Sequence, residues 1–100
     1  MVDLHTINTF PYIRAITATT NNVQIKMPAR AHKLTVATKT GVCKFSYEGE
    51  DNGTPSDNHL FVTNYGMVEQ KIGRGKDRPQ YVYVAMDTGT GTVIVSFEDE

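Results

Sequence analysis

The last fifth of the chain, residues 80–98, constrains the fold more than any other segment. Two runs of β-branched and aromatic residues, 81–86 and 92–97, flank the turn sequence Asp-Thr-Gly-Thr-Gly. Side chains alternate between the two faces of a strand, and glycine lets the chain reverse its direction. The pattern therefore predicts a terminal β-hairpin over residues 81–97.

The same rhythm of short apolar runs and turn residues continues along the rest of the chain. The predicted strands cover residues 2–8, 12–20, 23–27, 33–38, 42–47, 60–65 and 67–72, followed by the hairpin. No segment has the period of an amphipathic helix, and turn signals recur about every 8–12 residues. These features predict an all-β fold, an antiparallel β-sandwich of jelly-roll type. An immunoglobulin-like sandwich is the alternative, if seven strands form rather than eight.

The inward-facing apolar residues of the clearest strands define the expected core. It comprises Val23, Ile25, Leu34, Val36, Phe45, Val93, Val95 and Phe97. A chain of 100 residues fits a single domain, 1–100. Residues 1–10 are weakly patterned and end at Pro11, so they are a candidate for an extended N-terminal arm.

Charge and cysteine content exclude several classes of protein. The formal net charge is −1, so there is no basic footprint for nucleic acid. One cysteine, Cys43, excludes a disulfide framework within the chain. No apolar run approaches the roughly 18 residues of a membrane span, and we expect no signal peptide from the first residues. Stability must come from packing, strand pairing or a partner subunit.

The acidic loop, residues 48–58, is the first segment to test for bound metal. Glu48, Glu50, Asn52 and Gly53 have the spacing of the first half of a calcium loop. His59 then stands where a bidentate glutamate is required, and both flanks read as strands. We expect a solvated, little-structured loop, and an irregular calcium site that uses Asp51 and Asp57 stays open.

The basic loop, residues 73–79, carries Arg74, Lys76 and Arg78 among glycines. Lys76 is followed by Asp77 and then by a strand, so the loop is not a P-loop. It is predicted to be a charged loop tip, with contact to an acidic surface or to a nucleic-acid backbone as the functional alternative. His5, His32 and His59 lack metal-ligand spacing. Cys43 is expected to be a buried small hydrophobe, with a Cys-His nucleophile as the weaker alternative.

Tyr81 and Tyr83 share one face of a strand whose other face carries Val82 and Val84. A strand that is apolar on both sides is expected to be at least partly covered on both. If the valines are core, the tyrosines suit an interface. The predicted protein interface therefore contains Tyr81, Tyr83, Arg74, Lys76 and Arg78.

In its overall pattern the chain resembles small accessory virion proteins of tailed bacteriophages, of the capsid decoration or cement type. The resemblance rests on the Thr-rich strands, with 13 threonines in the chain, on residues 25–31 leading into the strand 33–38, and on the terminal hairpin. It implies a non-enzymatic structural protein, a homotrimer bound to a major capsid or other virion protein. The implied location is the virion, and the host cytoplasm during assembly, with no cofactor, nucleic acid or membrane partner.

Two other classes of function compete with this interpretation. A small-ligand or carbohydrate-binding β-sandwich is the alternative, since tyrosines can stack on sugars, although the chain has no tryptophan. An enzyme is disfavoured, because no acid–base pair, nucleophile constellation, metal cluster or phosphate loop can be named.

Overall fold

The structure, a computed structural model, describes residues 1–99 and consists of two packed β-sheets. The all-β sandwich predicted from the sequence is confirmed. The nine strands within these residues are β1 Val2–Asp3, β2 Tyr12–Ala18, β3 Val23–Lys26, β4 Lys33–Thr38, β5 Cys43–Ser46, β6 Leu60–Val62, β7 Met67–Lys71, β8 Tyr81–Met86 and β9 Gly91–Glu98.

The two sheets contain five and four strands. The five-stranded sheet has the order β1-β3-β8-β5-β6, and the four-stranded sheet has the order β2-β9-β4-β7. All neighbouring strands are antiparallel except β1 and β3. Every connection between consecutive strands except β5–β6 changes sheet, so each sheet is built from distant parts of the sequence.

Alternating side chains of the two sheets meet in one hydrophobic core. Seven of the eight predicted core residues are buried: Ile25, Leu34, Val36, Phe45, Val93, Val95 and Phe97. The eighth, Val23, is half-buried and packs against this core. Period-2 alternation predicted the inward faces correctly because a residue and its second neighbour lie on the same side of a strand.

The terminal hairpin predicted from residues 81–97 does not form. β8 pairs with β3 and β5, whereas β9 pairs with β2 and β4. Residues 87–90 carry the chain from one sheet to the other, so that β8 and β9 each become a central strand. Both are central because each is apolar enough to be covered by a strand on either side.

The N-terminal segment packs against the sandwich of its own chain in this structure. Val2–Asp3 pairs in parallel with β3, and Leu4 is buried in the core. The backbone N–H of Leu4 donates to the carbonyl oxygen of Lys26 (2.9 Å). Residues 1–4 are therefore a docked strand end rather than a free arm, and the predicted strand over 2–8 is limited to two residues.

Within residues 1–99, no helix is long and apolar enough to cross a membrane.

Candidate functional site

The acidic loop is an ordered cover on the outer face of the five-stranded sheet. Gln24 and Tyr83 point outward from β3 and β8, since their neighbours Ile25 and Val84 fill the core. Tyr83 is nevertheless only 6% exposed, because the loop crosses over it. As predicted, the acidic loop forms no helix or strand and most of its residues are exposed, but hydrogen bonds fasten it to the sheet. The expectation that both faces of β8 are covered is confirmed.

One buried amide holds the acidic loop in place. Asn22, 4% exposed, donates from Nδ2 to the carbonyl oxygens of Glu50 (3.3 Å) and Thr54 (3.4 Å). Its backbone N–H donates to the Gly53 carbonyl oxygen, and its carbonyl oxygen accepts from the N–H of Asn52, both at 2.8 Å. A single residue thus satisfies four polar groups of the loop.

Gly49 lets the acidic loop approach the sheet closely. Its φ is +141°, and a Cβ there would lie 2.8 Å from Asn22 Nδ2 and 3.7 Å from the Tyr83 ring. Any side chain at residue 49 would both strain the backbone and separate the loop from its anchor.

The carboxylates of the acidic loop are held by hydrogen bonds to different partners. Glu48 Oε1 accepts from Ser56 Oγ (2.6 Å) and Asn58 Nδ2 (2.8 Å), and these bonds lower the pKa of Glu48. Asp51 Oδ1 accepts from the backbone N–H of Gln24 (2.9 Å), which lowers the pKa of Asp51. Across residues 1–99, no three His, Cys, Asp or Glu side chains come together as a group that could hold a metal ion.

The five residues of the predicted protein interface lie in different environments. Tyr83 is covered by the acidic loop and its hydroxyl accepts from Gln24 Nε2 (2.8 Å), while Tyr81 is half-buried beside it. Arg78 donates to the carbonyl oxygens of Ala31 and Pro28, so it fastens the basic loop to the β3–β4 connection. Arg74 and Lys76 are exposed and stay predicted interface residues.

The outer face of the four-stranded sheet is bare, unlike that of the other sheet. Strand register places a set of uncharged side chains on this face, beside Lys33, Glu69, Lys71 and Glu98 at one end. Two members of the uncharged set are large and exposed: Ile13 is 66% and Met67 is 63% exposed. We call this set the bare face; it consists of Ile13, Ala15, Thr17, Thr35, Ala37, Met67, Thr92, Ile94 and Ser96.

Charged residues lie at one end of the bare face and neutralise one another. Lys33 Nζ lies 2.7 Å from Glu69 Oε2 and 3.5 Å from Glu98 Oε2. The hydrogen bond to Glu69 raises the pKa of Lys33. Lys71 pairs with Lys33 in the strand register, which makes two positive and two negative side chains at this end.

The edge strand β2 is the least protected edge of the sandwich. It is seven residues long and pairs only with β9, in continuous register without a bulge. Its seven residues include a single charged side chain, Arg14, and no proline or glycine. The opposite edge strand, β7, carries Glu69 and Lys71, and the outer strands β1 and β6 have two and three residues. Charge and short length are the usual protection of strand edges, and β2 has little of either.

A cleft of about 420 Å³ opens between the ends of β5, β6 and β7, which we call the β5–β7 cleft. Phe45 and Leu60 form its apolar part, and Tyr47 and Gln70 lie on its wall. The Tyr47 hydroxyl donates to Gln70 Oε1, joining the two sheets at this point. Burial raises the pKa of Tyr47 to about 12, so the hydroxyl keeps its proton at neutral pH.

Polar residues of the acidic loop form the rim of the β5–β7 cleft. Asp57, Asn58 and His59 line it. His59 Nδ1 lies 2.6 Å from the Ser56 carbonyl oxygen, and its ring meets Phe61 edge-on at 4.8 Å between centroids. Because a carbonyl oxygen only accepts, Nδ1 carries a proton and donates it to this bond, which leaves Nε2 as the ring nitrogen that another partner can bond. This cleft joins residues that are far apart in sequence, so the residue pattern alone could not reveal it.

Cys43 is fully buried, as predicted, within the core between β8 and β6. Burial raises the pKa of its thiol to about 11. The thiolate is the nucleophilic form of cysteine, so Cys43 is unreactive at neutral pH.

Comparison of the chain with protein-family models, with curated proteins and with solved structures finds no match.

Proposed function

We propose that this chain is a non-enzymatic structural protein that self-associates and attaches to a larger protein shell, as an accessory protein of a virus particle. Its expected state is a homotrimer, and its expected partner is a major capsid or other virion protein. The contact between copies uses the bare face together with the β2 edge.

The difference between the two outer sheet faces carries this proposal. The acidic loop covers Tyr83 on one face, where the edge strand β6 still exposes Phe61 (52%). The other face exposes Ile13 and Met67 on its two edge strands, with uncharged side chains between them and charged ones at one end. Apolar surface that a chain leaves uncovered is typical of an interface. A second copy is the favoured occupant, because the charged side chains at one end of this face neutralise one another, so another copy can pack against it without like-charge repulsion.

The order of the strands in the two sheets also supports the proposed structural role. Strands β2–β9 divide into β2-β9-β4-β7 and β3-β8-β5-β6, which is the order of an eight-stranded jelly roll with β1 added beside β3. We propose this finer classification. Jelly rolls occur in viral capsid and lectin domains, so the analogy of fold agrees with both a shell protein and a sugar-binding protein.

Sedimentation equilibrium at micromolar concentrations tests self-association. The wild-type chain is expected to sediment as a trimer. Ile13→Lys places a charge on the unprotected edge strand and on the bare face, and is expected to sediment as a monomer. The matched control is Thr90→Lys, which adds the same charge at an exposed residue of the β8–β9 connection and keeps the trimer. A wild-type chain that is strictly monomeric contradicts the proposal.

The virion assignment has a separate test in the neighbouring genes. A major capsid or tail gene beside this one supports it, and co-sedimentation of the purified chain with shells of that capsid protein then measures attachment. If the wild-type chain does not bind to bare shells, the virion assignment is contradicted, whatever the oligomeric state of the chain.

A further inference from the structure

The β5–β7 cleft has the size and construction of a small-molecule site. Its volume of about 420 Å³ falls within the roughly 300–1,000 Å³ typical of such sites. Phe45, buried to 2% exposure, and Leu60 provide apolar surface inside it, while Tyr47 adds an aromatic ring. A ligand inside the cleft therefore contacts apolar side chains, and these suit the C–H face of a sugar ring.

The polar groups of the cleft include both acceptors and donors. The Asp57 carboxylate is an acceptor, and Gln70 presents its amide N–H groups, since its Oε1 accepts from Tyr47. His59 adds its Nε2, since its Nδ1 is bonded to Ser56. A hydroxyl group both donates and accepts. A mixed set of this kind matches a ligand with several hydroxyls better than one with carbonyls or amines alone.

The charge of the cleft excludes anionic ligands. Its eight lining residues include no lysine or arginine and one carboxylate, Asp57. A second carboxylate, that of Glu48, is bonded to the rim residue Asn58. Phosphate, sulfate and carboxylate groups are normally recognised by arginine, lysine or clustered N–H groups, and here they would meet negative charge instead.

From these observations we infer that the β5–β7 cleft binds a neutral, polyhydroxylated ring, one unit of an uncharged carbohydrate. Tyr47 and Leu60 pack against the ring, and Asp57, His59 and Gln70 bond its hydroxyls. This inference is independent of self-association: Gln70, the cleft residue of β7, lies on the inner side of its sheet with Leu34, whereas the bare face is the outer side. Ile13→Lys is therefore expected to bind sugar as the wild-type chain does.

The test is a ¹H–¹⁵N NMR titration of the whole chain with glucose, galactose, mannose and N-acetylglucosamine at millimolar concentrations. At least one of these sugars is expected to shift amide signals around residues 45–47, 57–60 and 70. Inorganic phosphate, added as the anionic probe, is expected to shift none of them.

Asp57→Ala removes the rim carboxylate at an exposed residue and is expected to weaken binding about tenfold or more, since a lost charged hydrogen bond has that effect. Asp77→Ala removes an exposed carboxylate from the basic loop and leaves binding unchanged. Three results overturn the inference: no shifts with any of the four sugars, shifts around the cleft caused by phosphate, or unchanged sugar affinity in Asp57→Ala.

Discussion

At the scale of single residues, the two largest core side chains decide whether the sheets stay packed. Phe45 and Phe97 are 2% and 0% exposed and lie on facing sheets, in β5 and β9. Both belong to the common core, which contains inward residues of both sheets. Their loss leaves a cavity that neighbouring strands, fixed by ladder hydrogen bonds, cannot fill.

We predict that Phe97→Ala and Phe45→Ala each lower the free energy of unfolding by about 3–5 kcal/mol. The control is Phe61→Ala, because Phe61 is 52% exposed and should cost less than about 1 kcal/mol. Urea denaturation followed by circular dichroism measures all three. Losses below about 1 kcal/mol at both Phe45 and Phe97 would mean that the inward faces are assigned to the wrong side.

At the scale of elements, alternation in the sequence predicted which residues form strands but not which strands pair. The residues 81–86 and 92–97 became strands as expected, yet the turn between them joins two sheets. A Gly-rich turn allows both a hairpin and a crossing between sheets, and only the competition of β2, β3, β4 and β5 for these two strands decides between them. The strongly apolar character of both strands was the available signal that each would be central.

The acidic loop shows the same limit for the candidate sites. Its polar composition predicted a solvated segment, because sequence shows turn residues and charge but not distant partners. Its order depends on Asn22, at least 28 residues away from the carbonyl groups that it bonds. The β5–β7 cleft depends on this loop as well, since Asp57 and His59 come from its end. Neither feature can be read from local pattern.

We predict that Asn22→Ala releases the acidic loop while the sandwich stays folded. The change removes two side-chain hydrogen bonds to loop carbonyl oxygens, and the freed loop should be cut after Glu48 or Glu50 by a glutamate-specific protease. Asn21→Ala is the matched control, since Asn21 is the exposed neighbour and its side chain makes no contact that the loop needs. Equal cleavage rates in both variants would show that Asn22 does not hold the loop.

The acidic loop also makes stability depend on pH. The pKa values of Glu48 and Asp51 are lowered in the folded chain, so their contribution to stability is complete above the ordinary carboxyl pKa values of about 4. It is lost as the pH falls through the lower folded-state values. The double variant Glu48→Gln, Asp51→Asn should have a lower Tm than the wild type at pH 7, and this difference should shrink towards pH 3. A difference that stays constant over this range would show that hydrogen bonding to the ionised carboxylates contributes nothing.

At the scale of the whole molecule, the acidic loop packs on the outer face of the five-stranded sheet, and the outer face of the four-stranded sheet has no such cover within residues 1–99. The acidic loop buries Tyr83 on the five-stranded sheet, whereas nothing within residues 1–99 covers Ile13 on the four-stranded sheet. A small domain has a modest core, so the proposed contact between copies would add the apolar burial that a single copy lacks.

This proposal predicts that the melting temperature rises with protein concentration. Unfolding that is linked to dissociation follows mass action, so each increase in chain concentration favours the folded assembly. Differential scanning calorimetry of the wild-type chain over a hundredfold range of concentration should show a steady increase in Tm.

The Tm of Ile13→Lys should not increase with concentration. At the lowest concentration it should approach the wild-type Tm, because Ile13 is 66% exposed and contributes little to stability within one copy. Thr90→Lys should follow the wild type throughout. A wild-type Tm that does not change with concentration would indicate that the bare face stays exposed to solvent in a monomer.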